Sequence, residues 1–194
     1  MLLFTLLGCD NNNSKIEKDT TNFDTLQIAA ENLNELNKTN QKTIENQVNI
    51  FLKWYKDKYD TLSSITLINI PDIDSGIYSV NFNNTEKYLK IFAKSGLFTK
   101  NFIEEKRDYF KICNDKMIKE KQNDGPPIGL EHDLILLTQE IDETLNNIKN
   151  ASFSNFTVEG NRVSIDVAIL YKIKIYLIKE NDKWLIDKIE LIIE

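Results

Sequence analysis

Cysteine, histidine, proline and glycine are all scarce in this sequence, at 2, 1, 3 and 6 residues among 194. A single histidine and two cysteines leave little material for zinc sites or for thiol and hydroxyl nucleophiles with an imidazole base. So few glycines and prolines exclude collagen-like and linker-type compositions. A basic excess is missing as well: 24 Lys and Arg face 30 Asp and Glu, a net charge of -6, so a nucleic-acid partner is not expected. No apolar run approaches the roughly 20 residues that a transmembrane helix needs. Nor is there a glycine-rich phosphate loop, a nucleophile elbow or a Cys-x-x-Cys pair. What remains, 41% hydrophobic and 28% charged residues, is ordinary globular composition.

The one apolar run stands at the start. Residues 1 to 8, MLLFTLLG, lead straight into Cys9, and the composition then flips to Asp10, Asn11, Asn12, Asn13 and Ser14. An apolar run ending in small residues reads as a secretion signal. Leu6-Leu7-Gly8-Cys9 resembles a bacterial lipobox, which implies cleavage before Cys9 and a diacylglycerol on its thiol. At about 0.8 kcal/mol per buried CH₂, several acyl chains make a lasting anchor. The run is short and no Lys or Arg precedes it, departures that a start upstream of Met1 would repair. The alternative is an apolar N-terminus whose Cys9 is incidental. The expected location is the cell envelope, lipid-anchored on a periplasmic or surface face.

Residues 9 to 40 read as the lipidated Cys and a polar tether, within which Leu26, Ala29, Ala30, Leu33 and Leu36 could form a weak helix. Half of the net charge lies there, with six acids against three bases from residue 10 on. Residues 41 to 194 are then expected to form one domain. Ile44, Val48, Phe51, Leu52, Tyr55, Tyr59 and Leu62 make one stripe of an amphipathic helix, with Trp54 and Ile50 on its flank as a second buried edge or pocket wall. Strand-like runs follow at Ile65 to Ile70 and at Tyr78, Val80 and Phe82. A helix is expected over residues 85 to 95, capped by Asn84 and stopped by Gly96. A longer one should start at an Asn101–Glu104 capping box and end before Asp124-Gly125-Pro126-Pro127. Asp133 is expected to cap a helix through Leu134, Leu137, Ile141, Leu145 and Ile148.

The period then changes from helix to strand. Phe153, Phe156 and Val158 suggest one strand. In the next, Val163, Ile165, Val167 and Ile169 alternate with the wetter Ser164, Asp166 and Ala168, and Ile173, Ile175 and Leu177 repeat the pattern. Asn181-Asp182 suggests a tight hairpin, and the broken parity of Trp184, Ile186, Ile189 and Leu191 a bulge near Asp187 and Lys188. Helices followed by an antiparallel meander define an α+β class.

The lipobox, the tether, the segments Phe51-Leu52-Lys53-Trp54-Tyr55 and Lys183-Trp184-Leu185-Ile186-Asp187, and the stretch Asp133 to Glu140 with its Gln139-Glu140 pair resemble bacterial envelope lipoproteins of the uncharacterised YbjP/YqhG type. The resemblance covers about residues 44 to 192. It implies a fold similar to nuclear-transport-factor-2-like, or cystatin-like, cones, in which helices pack on a curved antiparallel sheet. Such a cone can hold a ligand, an enzyme site, or nothing.

Chemistry-bearing residues are few. Glu131-His132-Asp133 is the one acid and histidine cluster, and it follows a Gly/Pro loop. As a site it would use His132 as base and Asp133 as orienter; as ordinary structure it is a solvated loop with a helix cap. Cys113, left without a partner if Cys9 carries lipid, reads as a small buried thiol. Lys172 and Lys174 read as a solvated or edge-protecting face. Trp54, Tyr55, Tyr78 and Trp184 supply aromatic groups for a pocket. No cofactor or metal is implied. The first expectation is thus a non-catalytic module for a small molecule or peptide. The second is an inhibitor- or immunity-type protein that meets an envelope partner, and an enzyme on the same fold ranks last.

Overall fold

A computed structural model describes the backbone of residues 21–71 and 76–193, and the side chains of these residues from position 40 onward. Cys9 and the signal-like segment lie outside the described residues. The chain divides into two compact units, residues 1–40 and 41–194. In the first, the described backbone is helical from Thr21, the start of α1 (Thr21–Ser63). The second holds the remaining elements.

Within that second unit the stripe of α1 is buried as its spacing demands: Ile44, Val48, Phe51, Leu52, Tyr55 and Leu62 all leave solvent. Trp54 packs on the flank, but Ile50 remains 46% exposed and is not part of a second buried edge. A two-stranded hairpin follows, β1 (Ile68–Asn69) with β2 (Ser79–Val80). Phe82 does not belong to it; that residue opens α2 (Phe82–Ser95) and is exposed on the first turn. The cap is therefore Asn81, whose side chain accepts from the Asn84 amide at 3.1 Å, while the Asn84 side chain donates to the Thr66 carbonyl. Gly96 ends the helix in the left-handed region at φ 69°.

Helix α3 (Lys100–Glu120) starts two residues earlier than an Asn101 cap would place it. Thr99 is the cap: its hydroxyl accepts from the Phe102 amide at 3.0 Å and donates to the Asp187 carboxylate at 2.7 Å. Residues 97 to 99 also run beside Ile186 as a parallel bridge, so this helix start is tied to the sheet by backbone and side chain together. Rings from both helices, α1 and the 97–99 link fill the space between: Phe98 meets Phe102 at 4.6 Å, Phe92 at 5.3 Å and Phe51 edge-on at 5.7 Å. Edge and offset contacts of this kind add to the transfer free energy of burying each ring.

After α3 come an irregular segment, a short helix α4 (Ile141–Asn147) and a 3-10 turn (Ile148–Asn150). Four antiparallel strands complete the chain in the order β3 (Ser152–Glu159), β4 (Arg162–Ala168), β5 (Lys172–Glu180) and β6 (Lys183–Leu191). The fold is α+β, with the sheet a simple meander. Asn181 and Asp182 both take positive φ, 47° and 62°, as a two-residue turn matched to strand twist requires. The β6 register slips between Ile186 and Lys188, so the bulge falls at Asp187. A second slip on β3 puts Asn155 and Phe156 opposite one residue, and it has a consequence the alternation alone missed. Asn155, at φ 50°, turns its amide onto Asp166 at 2.7 Å, and Lys174 approaches from the next strand at 2.8 Å. Asp166 is therefore buried rather than on a wet face, and Lys174 is its ion-pair partner rather than a merely solvated charge. Burial pushes the carboxyl up, but the Lys174 and Asn155 hydrogen bonds outweigh it and the net direction is down.

Candidate functional site

The segment from Gln122 to Glu140 has almost no regular structure, and two of its residues, Pro126 and Pro127, have no amide hydrogen to give. Its backbone groups must find other partners, and the segment's own Gln122 and side chains from the surrounding elements supply them. Gln122 donates to the Pro126 carbonyl at 2.7 Å and accepts from the Ile128 amide at 3.0 Å. From α3, Tyr109 donates to the Gly129 carbonyl and Lys106 to the Leu134 carbonyl, each at 2.7 Å. Tyr171, between β4 and β5, donates to the Leu136 carbonyl at 2.6 Å. Gly129 must be glycine: its φ is 78°, and a Cβ there would lie 2.5 Å from the Cys113 sulfur and 3.0 Å from the Tyr109 hydroxyl. Cys113 is buried beneath it, and burial pushes the thiol pKa up, away from the reactive thiolate.

Asp133 organises the centre of this segment. One carboxylate oxygen accepts from the Ile135 and Leu136 amides at 3.0 and 2.6 Å, and the other accepts from the Tyr55 hydroxyl at 2.5 Å. The expected helix does not start here. Asp133 caps a tight turn in which Leu137 is held at φ 58°, and regular helix begins only at Ile141. An aspartate with both oxygens so engaged is a structural anchor, and it is turned toward Tyr55 rather than acting as an orienter of His132. Leu134, Ile135 and Leu136 are thereby buried under the segment.

Where α1, α2 and this segment meet, a half-open cleft of about 150 Å³ remains. Its polar and aromatic lining is Tyr55, Tyr59, Ser63, Tyr88, His132 and Asp133, with apolar side chains such as Leu62 and Leu130 closing the sides. Tyr55, Tyr59 and Leu62 lie one helical turn apart on α1, which places them along a single wall. The rings of Tyr55 and Tyr59 are 6.1 Å apart and 70° from parallel. Burial, first, and then the neighbouring Asp133 charge push the phenols of Tyr59 and Tyr88 up; for Tyr55, burial and Tyr88 come before Asp133. All three therefore act as neutral rings and hydroxyl donors at neutral pH.

Three residues expected in two separate candidate sites, Tyr55, His132 and Asp133, thus share one wall system. Trp54, Tyr55, Tyr78 and Trp184 do not line this cleft together: Tyr55 alone of the four does. Trp54, one residue from Tyr55 and so turned about 100° away on the helix, packs edge-on against Phe92 and Phe98 at 5.3 and 5.6 Å. Tyr78 is buried beside the end of α3, where its amide donates to the Gln122 carbonyl at 2.7 Å. Trp184 sits in β6 opposite Lys179. Tyr59, part of the α1 stripe, and Tyr88 of α2 line the cleft although the sequence does not single either out as a site residue. The available signal was chemical: tyrosine in place of phenylalanine on a buried stripe calls for a polar partner.

A second, larger depression of about 410 Å³ lies on the outer face of the sheet, around Ser164, Tyr176, Ile178, Lys188 and Glu190. Among the described residues, no three His, Cys, Asp or Glu side chains gather as a metal-binding set, and no helix is long and apolar enough to cross a membrane. No family model, curated protein or solved structure matches the chain.

Proposed function

We propose that the chain is a bacterial envelope lipoprotein, anchored through lipid on Cys9, whose domain is a non-catalytic binding module working through the Tyr55–Tyr59–Asp133 cleft. The cleft carries this reading, because it brings three tyrosines together with His132 and the Asp133 carboxylate where α1, α2 and the Gln122–Glu140 segment meet. At about 150 Å³ it is smaller than the roughly 300 Å³ at which drug-sized pockets begin, so it suits a head group or a single side chain rather than a whole metabolite. The occupied oxygens of Asp133 argue against general-base work, and the buried Cys113 against nucleophilic work. The lipobox-like Leu6-Leu7-Gly8-Cys9 supports the anchor, and membership of the YbjP/YqhG-type lipoproteins remains part of the same proposal.

The outer sheet face favours a second reading, contact with an envelope protein. Its residues from Thr157 to Glu190 carry charge and an aromatic ring into solvent with no described element over them. Two measurements test the pair. Mass spectrometry of the membrane fraction should find an acylated Cys9 as the first residue; an unmodified soluble Met1 form would overturn the anchor. Thermal-shift screening against envelope components should give hits that Tyr59→Ala abolishes. Hits abolished instead by Tyr176→Ala and Lys188→Glu would move the function to the sheet.

A further inference from the structure

Of the six glycines, one alone follows an aspartate or asparagine: Gly125, after Asp124, where the chain leaves α3 and enters the segment from Gln122 to Glu140. Both residues are exposed, and neither belongs to a helix or strand. The Asp124 side chain folds back on its own backbone. Its Oδ1 accepts from the Gly125 amide at 2.8 Å, so the nitrogen of the next peptide bond points its hydrogen at the carboxyl group that precedes it. Gly125 takes φ 74°, and a Cβ built there would meet nothing within 4 Å, so the pair stands in open space. Gln122 clamps the turn around it. Its Nε2 donates to the Asp124 and Pro126 carbonyls at 3.2 and 2.7 Å, while its Oε1 accepts from the Ile128 amide at 3.0 Å.

A peptide nitrogen held against the preceding aspartyl carboxyl can close a five-membered ring on it. The amide hydrogen lies in the peptide plane, so the lone pair left when it departs is aimed at the same carboxyl group. The N–Cγ bond forms, the Cγ–OH bond of the carboxylic acid breaks, and the hydroxyl leaves with the amide proton as water. Water then opens the cyclic imide. Attack at Cγ restores aspartate, whereas attack at the α carbonyl routes the main chain through Cβ and Cγ as isoaspartate; the net change is an isomerisation, with water as the one reagent. A side chain on the following residue crowds the closure, and glycine does not. The Asn181-Asp182 turn differs in this respect, since it is followed by Lys183, which is paired with Glu180 in the ladder. Glu159-Gly160, the other acid followed by glycine, would need a six-membered ring. We infer that Asp124-Gly125 is a site of spontaneous aspartyl isomerisation, at which the fold holds the carboxyl on the nitrogen that attacks it. The product adds one methylene to the main chain between Gln122 and Pro126 and converts the Asp124 carbonyl into a carboxylate. The Gln122 clamp is thereby opened at the entrance to the segment that carries Asp133, whatever the cleft binds.

Peptide mapping of the full chain, aged for weeks at neutral pH and body temperature in heavy-oxygen water, tests this. The peptide that contains Asp124 should split into two chromatographic forms, and the new form should carry one heavy oxygen and accept a methyl group from a protein-isoaspartate methyltransferase. The peptide that contains Asp115, inside α3, should stay single. Asp124→Glu keeps the charge and the Gly125 backbone but enlarges the ring, and should slow the reaction at least about tenfold. Gly125→Ala is a second block: its Cβ has room, although φ 74° costs it some stability. A synthetic peptide of residues 119 to 130 reports the same chemistry without the fold, and the folded chain should match or exceed its rate. In the aged form, amide exchange at Ile128 should accelerate while the core amides of β4 and β5 keep their protection. Absence of a new form, or its persistence in both variants, would overturn the site. A folded rate about tenfold below that of the peptide would show that the turn protects the bond, and would overturn the part assigned to the fold. Unchanged exchange at Ile128 would overturn the link to the Gln122 clamp.

Discussion

The meander and the segment from Gln122 to Glu140 are both fixed in space, but by opposite means. In the meander, backbone pairs with backbone from Ser152 to Leu191, and side chains are left to pack. In the segment, backbone carbonyls at Gly129, Leu134 and Leu136 are each met by a side chain from elsewhere, and that of Pro126 by Gln122 at the segment's own start. A ladder distributes its free energy over many equivalent bonds, so the loss of one is local. A stapled segment concentrates it in a few donors, each of which holds a different length of chain. The candidate cleft lies against the stapled region, where backbone free of a ladder can turn polar groups inward.

The sharpest way to break that comparison is at Asp133. Asp133→Ala removes three hydrogen bonds to a charged acceptor and leaves the Tyr55 hydroxyl and two amides short of partners, a cost of about 3 kcal/mol or more. Denaturant melts should show this loss. Native-state amide exchange should accelerate across residues 129 to 138 while the core amides of β4 and β5 keep their protection. Uniform acceleration in both regions would show that the segment and the sheet open as one unit.

The two regions also differ in how much of them the sequence discloses. Period-2 alternation reports a ladder directly, so Val163, Ile165 and Val167, and Ile173, Ile175 and Leu177, could be assigned to a buried face from spacing alone, and Asn181-Asp182 to its turn. The broken parity of β6 even located the Asp187 bulge. The segment has no period to read. The partner of Asp133 is Tyr55, 78 residues away, and that of Leu136 is Tyr171, 35 residues away; neither separation follows from local pattern. The same limit explains the misplaced caps: Asn81 and Asn84, or Thr99 and Asn101, are equally good capping chemistry in sequence, and tertiary bonds to Thr66 and Asp187 decide between them. His132 and Asp133 were legible as a cluster but not as a structural turn, and the cleft itself was visible only as scattered tyrosines.

In the ladder, the expected effect is smaller and depends on pH. Asp166→Asn removes the charged acceptor shared by Asn155 and Lys174, at a cost of about 1–2 kcal/mol near pH 7. Because the folded carboxyl titrates below its ordinary value, its contribution is full above the unfolded pKa of about 3.9 and fades as pH falls through the folded one. The stability gap between parent and variant should therefore close in acid, as read from urea midpoints between pH 7 and pH 3. A gap that stays constant would assign the effect to packing at the Asn155 bulge instead of to charge.

The smallest test joins the two regions at one atom. Tyr171 belongs to the β4–β5 turn, yet its hydroxyl serves the stapled segment through the Leu136 carbonyl at 2.6 Å. Tyr171→Phe preserves the ring and orphans that carbonyl, for about 1 kcal/mol. Burial raises the phenol to about 12, so the bond is intact below the unfolded pKa of about 10 and is lost as pH rises toward the folded value. The difference between parent and variant should hold steady from pH 7 to 9 and shrink above 10, with faster exchange at residues 136 to 138 in the variant. If exchange instead rises in the β4–β5 turn, the hydroxyl anchors the hairpin to the segment, and the dependence between the two regions runs the other way.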